Sequence, residues 1–388
     1  MAIDLSPASI LPGDGGLLIG RVWQPAANGP SVVRIDGGQV LDITAAFPTI
    51  ADILNAPGGA ASVRSADGPP LGSIDQILEE SQPTARNGIH FLAPSDLQPT
   101  KAAGVTFAIS MLERVIEEQA KGDPTRAGDL RATIQQQIGT DLSAIVPGSD
   151  QAEALKAKLI EMNAWSQYLE VGIGPMAEIF TKAPPMAAVG LGAAIGLHPF
   201  STWSNPEPEI ALAIAASGEV VGATLGNDVN LRDIEGRSAL LLGRAKDNNA
   251  SAALGPFLRL FDKTFGIDDV RSAQIALTVR GEDGFVLEGA SDMRAISRDP
   301  LDLASQTLSA HHQYPDGAFL MCGTLFAPIQ DRDTPGQGFT HKLGDVVEIA
   351  NPKLGKLVNQ VQRTDTAPPW NFGLRELIAS LHRRGIAL

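Results

Sequence analysis

The sequence predicts an α+β fold that is mostly β, and three observations carry that expectation. Residues 31–43, SVVRIDGGQVLDI, set Asp36-Gly37-Gly38 between two apolar runs. That is a hairpin signal, because glycine accepts the positive φ of a tight turn. Helical periodicity is concentrated in one block, residues 109–120, 127–138 and 152–169, where charged residues fall between apolar positions. After Glu178 the chain reads as short strands punctuated by turns. Residues 210–215 and 220–225 flank Ser217-Gly218, and residues 275–279 and 285–288 flank the glycines of 281–284.

The stretch 56–99 is rich in Gly, Pro, Ser and Asp, with one short periodic piece at 74–78, and reads as a joint between domains. Two parts are therefore expected, a small N-terminal α/β domain over 1–98 and a larger catalytic domain over 99–388. A length of 388 residues agrees, since single cores rarely exceed ~250–300 residues. Residues 374–384 form the last expected helix, stopped at Gly385 and basic in its final turn, where cations suit the helix dipole.

Hydrophobic residues at 44% and charged residues at 19% give a chain that can build a core. A net charge of −14 with no basic run argues against nucleic-acid and anionic-membrane partners. The first basic residue is Arg21, so a charged leader is not expected, and the apolar run 186–197 falls short of the ~18 residues of a membrane span. The single cysteine, Cys322, rules out an intrachain disulfide and fits a reducing compartment, which makes the cytoplasm the expected location. Cys322 itself reads as a small core residue.

The sharpest local feature is Asn205-Pro206-Glu207-Pro208-Glu209, running directly into the apolar IALAIAA. In a strand, the period of two points Glu207 and Glu209 to one face, and the prolines favour extended backbone. Two adjacent carboxylates repel unless a proton or cation is shared, and hard oxygen donors suit Mg²⁺ or Mn²⁺. Asp228 lies one hairpin away and can supply a third carboxylate, leaving open positions for a chelating substrate.

These residues, with Asn227-Asp228 and the following Arg232-Asp233 and Glu235, resemble the fumarylacetoacetate hydrolase superfamily. The resemblance extends in order through Glu178-Ile-Phe-Thr-Lys182-Ala-Pro, Lys246 with Gly255-Pro256, Gly323-Thr324, Gly344-Asp345 and Leu354-Gly355-Lys356-Leu357, over roughly residues 100–375. It implies a mixed β-sandwich roll and a Mg²⁺ or Mn²⁺ site at Glu207, Glu209 and Asp228. It also implies an acid–base role for Glu178 and a lysine near the reacting carbons in Lys246. Arg232, Glu235, Lys182 and Ser110 then fall among the substrate contacts, and a homodimer or homotetramer is expected. Thr324 is expected to meet the substrate carboxylate, because a Gly-Thr pair at a strand end offers an N–H and a hydroxyl together. Asn248, close behind Lys246, is a candidate for substrate hydroxyls.

One departure from the pattern bears on the chemistry. Ser110 stands where the hydrolases of this family carry the histidine that, with a glutamate, activates water. A serine hydroxyl is no base near neutral pH without a helper. The pattern, including 327–337, instead resembles the family's sugar-acid dehydratases, which convert a 2-keto-3-deoxypentonate into 2,5-dioxopentanoate in oxidative pentose breakdown. The alternatives are a hydrolase cleaving a 2,4-dioxo sugar acid to pyruvate and glycolate with Glu113 assisting, and a non-catalytic sugar-acid binding protein. Weaker candidates are His311-His312, read as a surface pair, and Arg332, read as part of a lid or a subunit contact. The glycines of 190–196 have the wrong spacing for a dinucleotide loop.

Overall fold

The computed structural model describes residues 3–121, 123, 126, 145–161, 165–326, 330–335 and 338–387, without the side chains of residues 109, 110, 112 and 117. The helix expected at 127–138 lies outside the described residues, as do residues 327–329 and 336–337. Strand order along the chain is β1 (Leu18–Gln24), β2 (Gly29–Asp36), β3 (Gln39–Asp42), β4 (Pro70–Ser73), β5 (His90–Leu92), β6 (Thr100–Gly104), β7 (Glu178–Ala183), β8 (Ala194–Leu197) and β9 (Ser204–Asn205). It continues with β10 (Pro208–Ile214), β11 (Val220–Asp228), β12 (Asn230–Leu231), β13 (Ala252–Leu260), β14 (Gln274–Arg280), β15 (Val286–Asp292), β16 (Ala318–Met321), β17 (Val346–Asn351) and β18 (Gly355–Arg363).

An 11-stranded sheet runs β4-β3-β2-β1-β13-β11-β10-β16-β6-β7, with β5 also paired to β1. A five-stranded sheet, β15-β14-β17-β18-β8, packs over part of it. Most pairs are antiparallel, whereas β16–β6 and β18–β8 are parallel, so both sheets are mixed. The core between the sheets takes Ile210, Leu212, Ile214 and Leu225 from the large sheet and Ile275, Leu277, Val279, Ile349 and Leu357 from the small one. Cys322 belongs to that core, as expected of a small buried residue.

The predicted elements appear close to their expected limits. Gly37 and Gly38 turn the β2–β3 hairpin at φ of 54° and 86°, a conformation side-chain-bearing residues resist. The helical block yields Ala108–Ala120, then Asp150–Glu161 and Gln167–Ile173 in place of one helix over 152–169, and the chain closes on Leu374–Arg383.

Residues 56–99 contribute β4, β5 and the helix Ile74–Glu79, whose start is fixed by a capping box between Ser73 and Gln76. Their Gly and Pro mark the ends of short elements. The sheet does not break at residue 98, because β1 pairs with β13 through Leu18↔Arg259 and Ile19↔Leu258. Among the described residues no helix is long and apolar enough to cross a membrane.

His311 and His312 are exposed, as a surface pair should be. Arg332 is instead a buried tie: its guanidinium carbon lies 4.8 Å from the Phe285 ring centre, and it donates to Asp345 at 2.6 and 2.8 Å. Removing one partner of a buried ion pair strands the other charge, a loss of about 3–5 kcal/mol. Arg332→Met is therefore expected to lower the melting temperature by several degrees, and an unchanged melt would show that Asp345 finds another partner.

Candidate active site

Five adjacent strands, β11-β10-β16-β6-β7, build the site on one face of the large sheet. On β10 the period of two sends Ile210, Leu212 and Ile214 into the core between the sheets, and Ala211 and Ala213 to the opposite face. Glu207 and Glu209 share that alanine face. The β10–β11 register pairs Pro208 with Asn227, which sets Asp228 across from Glu207. On β7, Glu178 shares a face with Phe180, and Gly104 of β6 lies directly opposite Glu178.

Two glycines allow close packing here, Gly104 beside the Glu178 carboxylate and Gly323 beside Thr106. A Cβ at Gly104 would stand 2.1 Å from Glu178 Oε2, and one at Gly323 would stand 2.0 Å from Thr106 Oγ1. Gly323, at φ 90°, also donates its N–H to Glu209 Oε2 at 2.6 Å.

One donor oxygen from each of Glu207, Glu209 and Asp228 lies within 4.8 Å of the others, and all three residues are buried. Glu207 is further held by Asn230 Nδ2 at 3.0 Å and, through its own N–H, by Asn227 Oδ1 at 3.1 Å. Lys246 Nζ reaches Glu207 Oε2 at 2.5 Å and Asp228 Oδ2 at 3.1 Å. Arg114 of helix Ala108–Ala120 bridges Glu207 at 2.8 Å and Glu235 at 2.6 Å. Glu178, Glu235, Phe180 and Thr324 line the same cavity, which measures about 30 Å³.

Burial and mutual repulsion set the protonation of these groups. Burial, then the charges of Asp228 and Glu207, push Glu209 well above the usual carboxylate range. Burial also raises Glu207, although Lys246 and Arg114 pull it back. Burial would raise Asp228, yet Lys182 and Lys246 hold it below its ordinary value. Glu178 is pushed up to about 7, first by burial and then by the Glu235 charge. Burial works against the Lys246 ammonium, but Asp228, Glu207 and Glu235 more than offset it and keep it charged.

The donor set fits a divalent cation: three hard carboxylate oxygens converge, the kind that Mg²⁺ and Mn²⁺ prefer. The local charge agrees. Glu178, Glu207, Glu209, Asp228 and Glu235 exceed Arg114, Lys182 and Lys246 by two negative charges when ionised, the charge of one such ion.

Of the residues expected from the sequence, Glu178, Lys246, Glu207, Glu209, Asp228, Glu235 and Thr324 meet in this cavity. Others do not. Lys182 is wholly buried behind Asp228, its ammonium spent on Asp228 Oδ1 at 2.8 Å and on the Val229 and Lys246 carbonyls at 2.9 and 2.5 Å. The β6–β7 register shifts at Lys182, which lies between Thr181 and Ala183 without a pairing partner on β6 and falls beyond the cavity. Arg232 stacks 4.2 Å from the Trp203 ring centre and faces Glu113 at 3.6 Å, away from the cavity lining. Asn248 turns outward and donates to the Arg244 carbonyl at 3.0 Å. The Ser110 side chain lies outside the described residues. Arg114 and Asn230 were not anticipated. A signal for Arg114 existed, since it follows Ser110 by one helical turn on the same face.

The model of the fumarylacetoacetate (FAA) hydrolase C-terminal family matches residues 154–362. A 2-dehydro-3-deoxy-D-arabinonate dehydratase of Saccharolobus solfataricus is 31% identical over 186 residues, 48% of this chain and 59% of that protein. The chain thus spans less than two thirds of that relative. A probable 2-keto-3-deoxyxylonate dehydratase of Haloferax volcanii is 30% identical over 213 residues, 55% of this chain and 68% of that protein. Among solved structures, a 2-keto-3-deoxy-D-arabinonate dehydratase complexed with magnesium and 2,5-dioxopentanoate has the same fold, with a TM-score of 0.61, 21% identity and coverage of 89% of this chain and 99% of that one. A fumarylacetoacetate hydrolase from Exiguobacterium antarcticum follows at a TM-score of 0.53 and 16% identity.

Two outcomes are expected from this geometry. A proton and a cation compete for Glu209, whose pKa burial raises well above the usual carboxylate range, so Mg²⁺ affinity should rise with pH above that range and binding should release protons. Calorimetry in buffers of different ionisation enthalpy detects that release, and affinity independent of pH would contradict it. Gly104→Ala should leave the fold intact, because Gly104 is in ordinary extended backbone, while displacing the Glu178 carboxylate. Turnover should fall by ~10²-fold, the scale of one positioned general base, with Mg²⁺ affinity retained. Equal losses of both would place the damage elsewhere. Matched by the family model over more than half its length, the chain belongs to the fumarylacetoacetate hydrolase family.

Proposed function

We propose that the protein is a hydro-lyase that dehydrates a 2-keto-3-deoxypentonate to 2,5-dioxopentanoate, with Mg²⁺ or Mn²⁺ at Glu207, Glu209 and Asp228. The observation that carries this reading is the meeting, in one buried cavity, of a three-carboxylate cluster with an acid–base glutamate and a charged lysine. The names of the two archaeal relatives and of the magnesium-bound structure support the same substrate class.

When bound, the cation supplies an electrophile that polarises the substrate's 2-oxo group and acidifies the protons on C3. Glu178 takes one of them. Because its pKa stands near 7, the same carboxyl can accept a proton and return one at neutral pH. Lys246, kept charged by three carboxylates, donates hydrogen bonds to developing negative charge or to the departing C4 hydroxyl. Loss of water between C3 and C4 is followed by a proton shift from C5 to C3, giving a C4=C5 enol, whose hydroxyl proton then moves to C4 and leaves the terminal carbon as an aldehyde. Thr324, which lines the cavity, is proposed to meet the substrate carboxylate.

The hydrolase alternative relies on Glu113 to activate water. Its carboxylate faces Arg232 at 3.6 Å and is not among the cavity-lining residues. A place in cytoplasmic pentose breakdown and assembly as a homodimer or homotetramer complete the proposal.

Purified protein with Mg²⁺ should convert one or both 2-keto-3-deoxypentonates to 2,5-dioxopentanoate and leave a 2,4-dioxo acid untouched. Pyruvate plus glycolate would identify the hydrolase instead, and no turnover of any of them the binding protein. Glu178→Gln should keep metal and substrate binding, lower turnover by ~10²-fold or more, and abolish exchange of C3 hydrogen with deuterated water. Exchange at the wild-type rate would assign the base to another group.

A further inference from the structure

The cavity also holds a charged pair that supplies neither a metal ligand nor the acid–base group. Arg114 enters it from helix Ala108–Ala120, with Nη2 at 2.8 Å from Glu207 Oε1 and Nη1 at 2.6 Å from Glu235 Oε2. Glu235 therefore lies one guanidinium width beyond a ligand of the cluster. Both side chains are nearly buried, Arg114 at 14% exposure and Glu235 at 7%. Glu235 Oε2 is buried and meets Arg114 as a close ion contact without hydrogen-bond alignment, so it keeps capacity to accept from a donor that a ligand brings.

The cavity is also small, about 30 Å³ beside the Arg114 bridge from Glu207 to Glu235, so a substrate that enters it meets this bridge. With the carboxylate and 2-oxo group at the metal cluster, the carbon chain extends away from it, and Arg114 with Glu235 forms the wall one guanidinium width farther out.

We propose that Arg114 and Glu235 act as a pair that reads the substrate's terminal hydroxyl, Arg114 donating to the C5 oxygen and Glu235 accepting from it. A hydroxyl is donor and acceptor at once, so a cation and a carboxylate held side by side satisfy both roles. An analogue lacking that hydroxyl leaves two buried charged groups facing a methyl group, the situation in which a site discriminates most strongly.

This inference rests on the dehydratase reading, and its test separates the two. The Mg²⁺-loaded enzyme is given a 2-keto-3-deoxypentonate and, separately, its 5-deoxy analogue, 4-hydroxy-2-oxopentanoate, whose dehydration stops at an ultraviolet-absorbing enone. Wild type should prefer the hydroxylated substrate by roughly 10- to 100-fold in kcat/KM, the range of a charged hydrogen bond. In Glu235→Leu and in Arg114→Met that preference should collapse toward unity, mainly through KM for the hydroxylated substrate, whatever each change costs on both. If Glu235→Leu does not fold, Arg114→Met alone decides. Wild type that turns over neither compound removes the dehydratase reading. Wild type that turns over the pentonate without preferring it, or variants that keep the preference, overturn the hydroxyl reading alone.

Discussion

The structure is organised around the burial of carboxylates on one face of the large sheet. Taking an ionised carboxylate out of water costs several kcal/mol unless charge and hydrogen bonds replace the water. Here three carboxylates converge and two more stand beside them, so repulsion would disperse them if nothing opposed it. Each is answered in a different way. Asp228 has Lys182 beneath it and Lys246 above, Glu207 has Lys246, Arg114 and Asn230, and Glu209 has only the Gly323 N–H as a close donor among the described residues. The uneven compensation explains why Asp228 is held low and Glu209 pushed high. The most weakly compensated ligand is the one at which an incoming cation gains most.

That constraint also explains the glycines. Glu209 and Glu178 stand on strands three apart in the order β10-β16-β6-β7, roughly 14 Å at the usual strand spacing. Their side chains can share a cavity only if the strands between leave room on that face. Gly104 of β6 is such a position, since a methyl group there would strike the Glu178 carboxylate, and Gly323, just past β16, packs against Thr106 where no side chain would fit. Packing and chemistry are thus set by the same residues.

How much of this the sequence revealed follows from whether the signal is local. The Glu207–Glu209 pair, the hairpin to Asp228 and the strand alternation around them are local patterns, and the structure keeps them. The extension of the sheet by β1–β5 was not legible, because the β1–β13 pairing joins segments more than two hundred residues apart and their turn-rich composition resembles that of a linker. Lys182 shows the same limit within the site. Spacing assigns it a face, but not whether its ammonium points into the cavity or below it, and only the positions of Asp228, Val229 and Lys246 decide that it points below. Arg114 was legible in principle from its turn-apart spacing with Ser110, but nothing in the sequence named Glu235 as its partner.

On the dehydratase reading, the placement of the proposed base bears on how one fold could serve both carbon–carbon hydrolysis and dehydration. A water-activating pair on helix Ala108–Ala120 would sit on an element that joins the sheet through loops, whereas Glu178 projects from β7, paired to β6 and set opposite Gly104. A base on a strand would meet the carbon next to the chelated group at a constant distance, which suits removal of a proton from C3. On the helix, Glu113 faces Arg232 and Arg114 faces Glu207 and Glu235, so these two groups are occupied in ion pairs instead of being held ready for water. On that reading, a base carried by the strand and not by the helix favours loss of a proton beside the 2-oxo group over attack of a nucleophile on it.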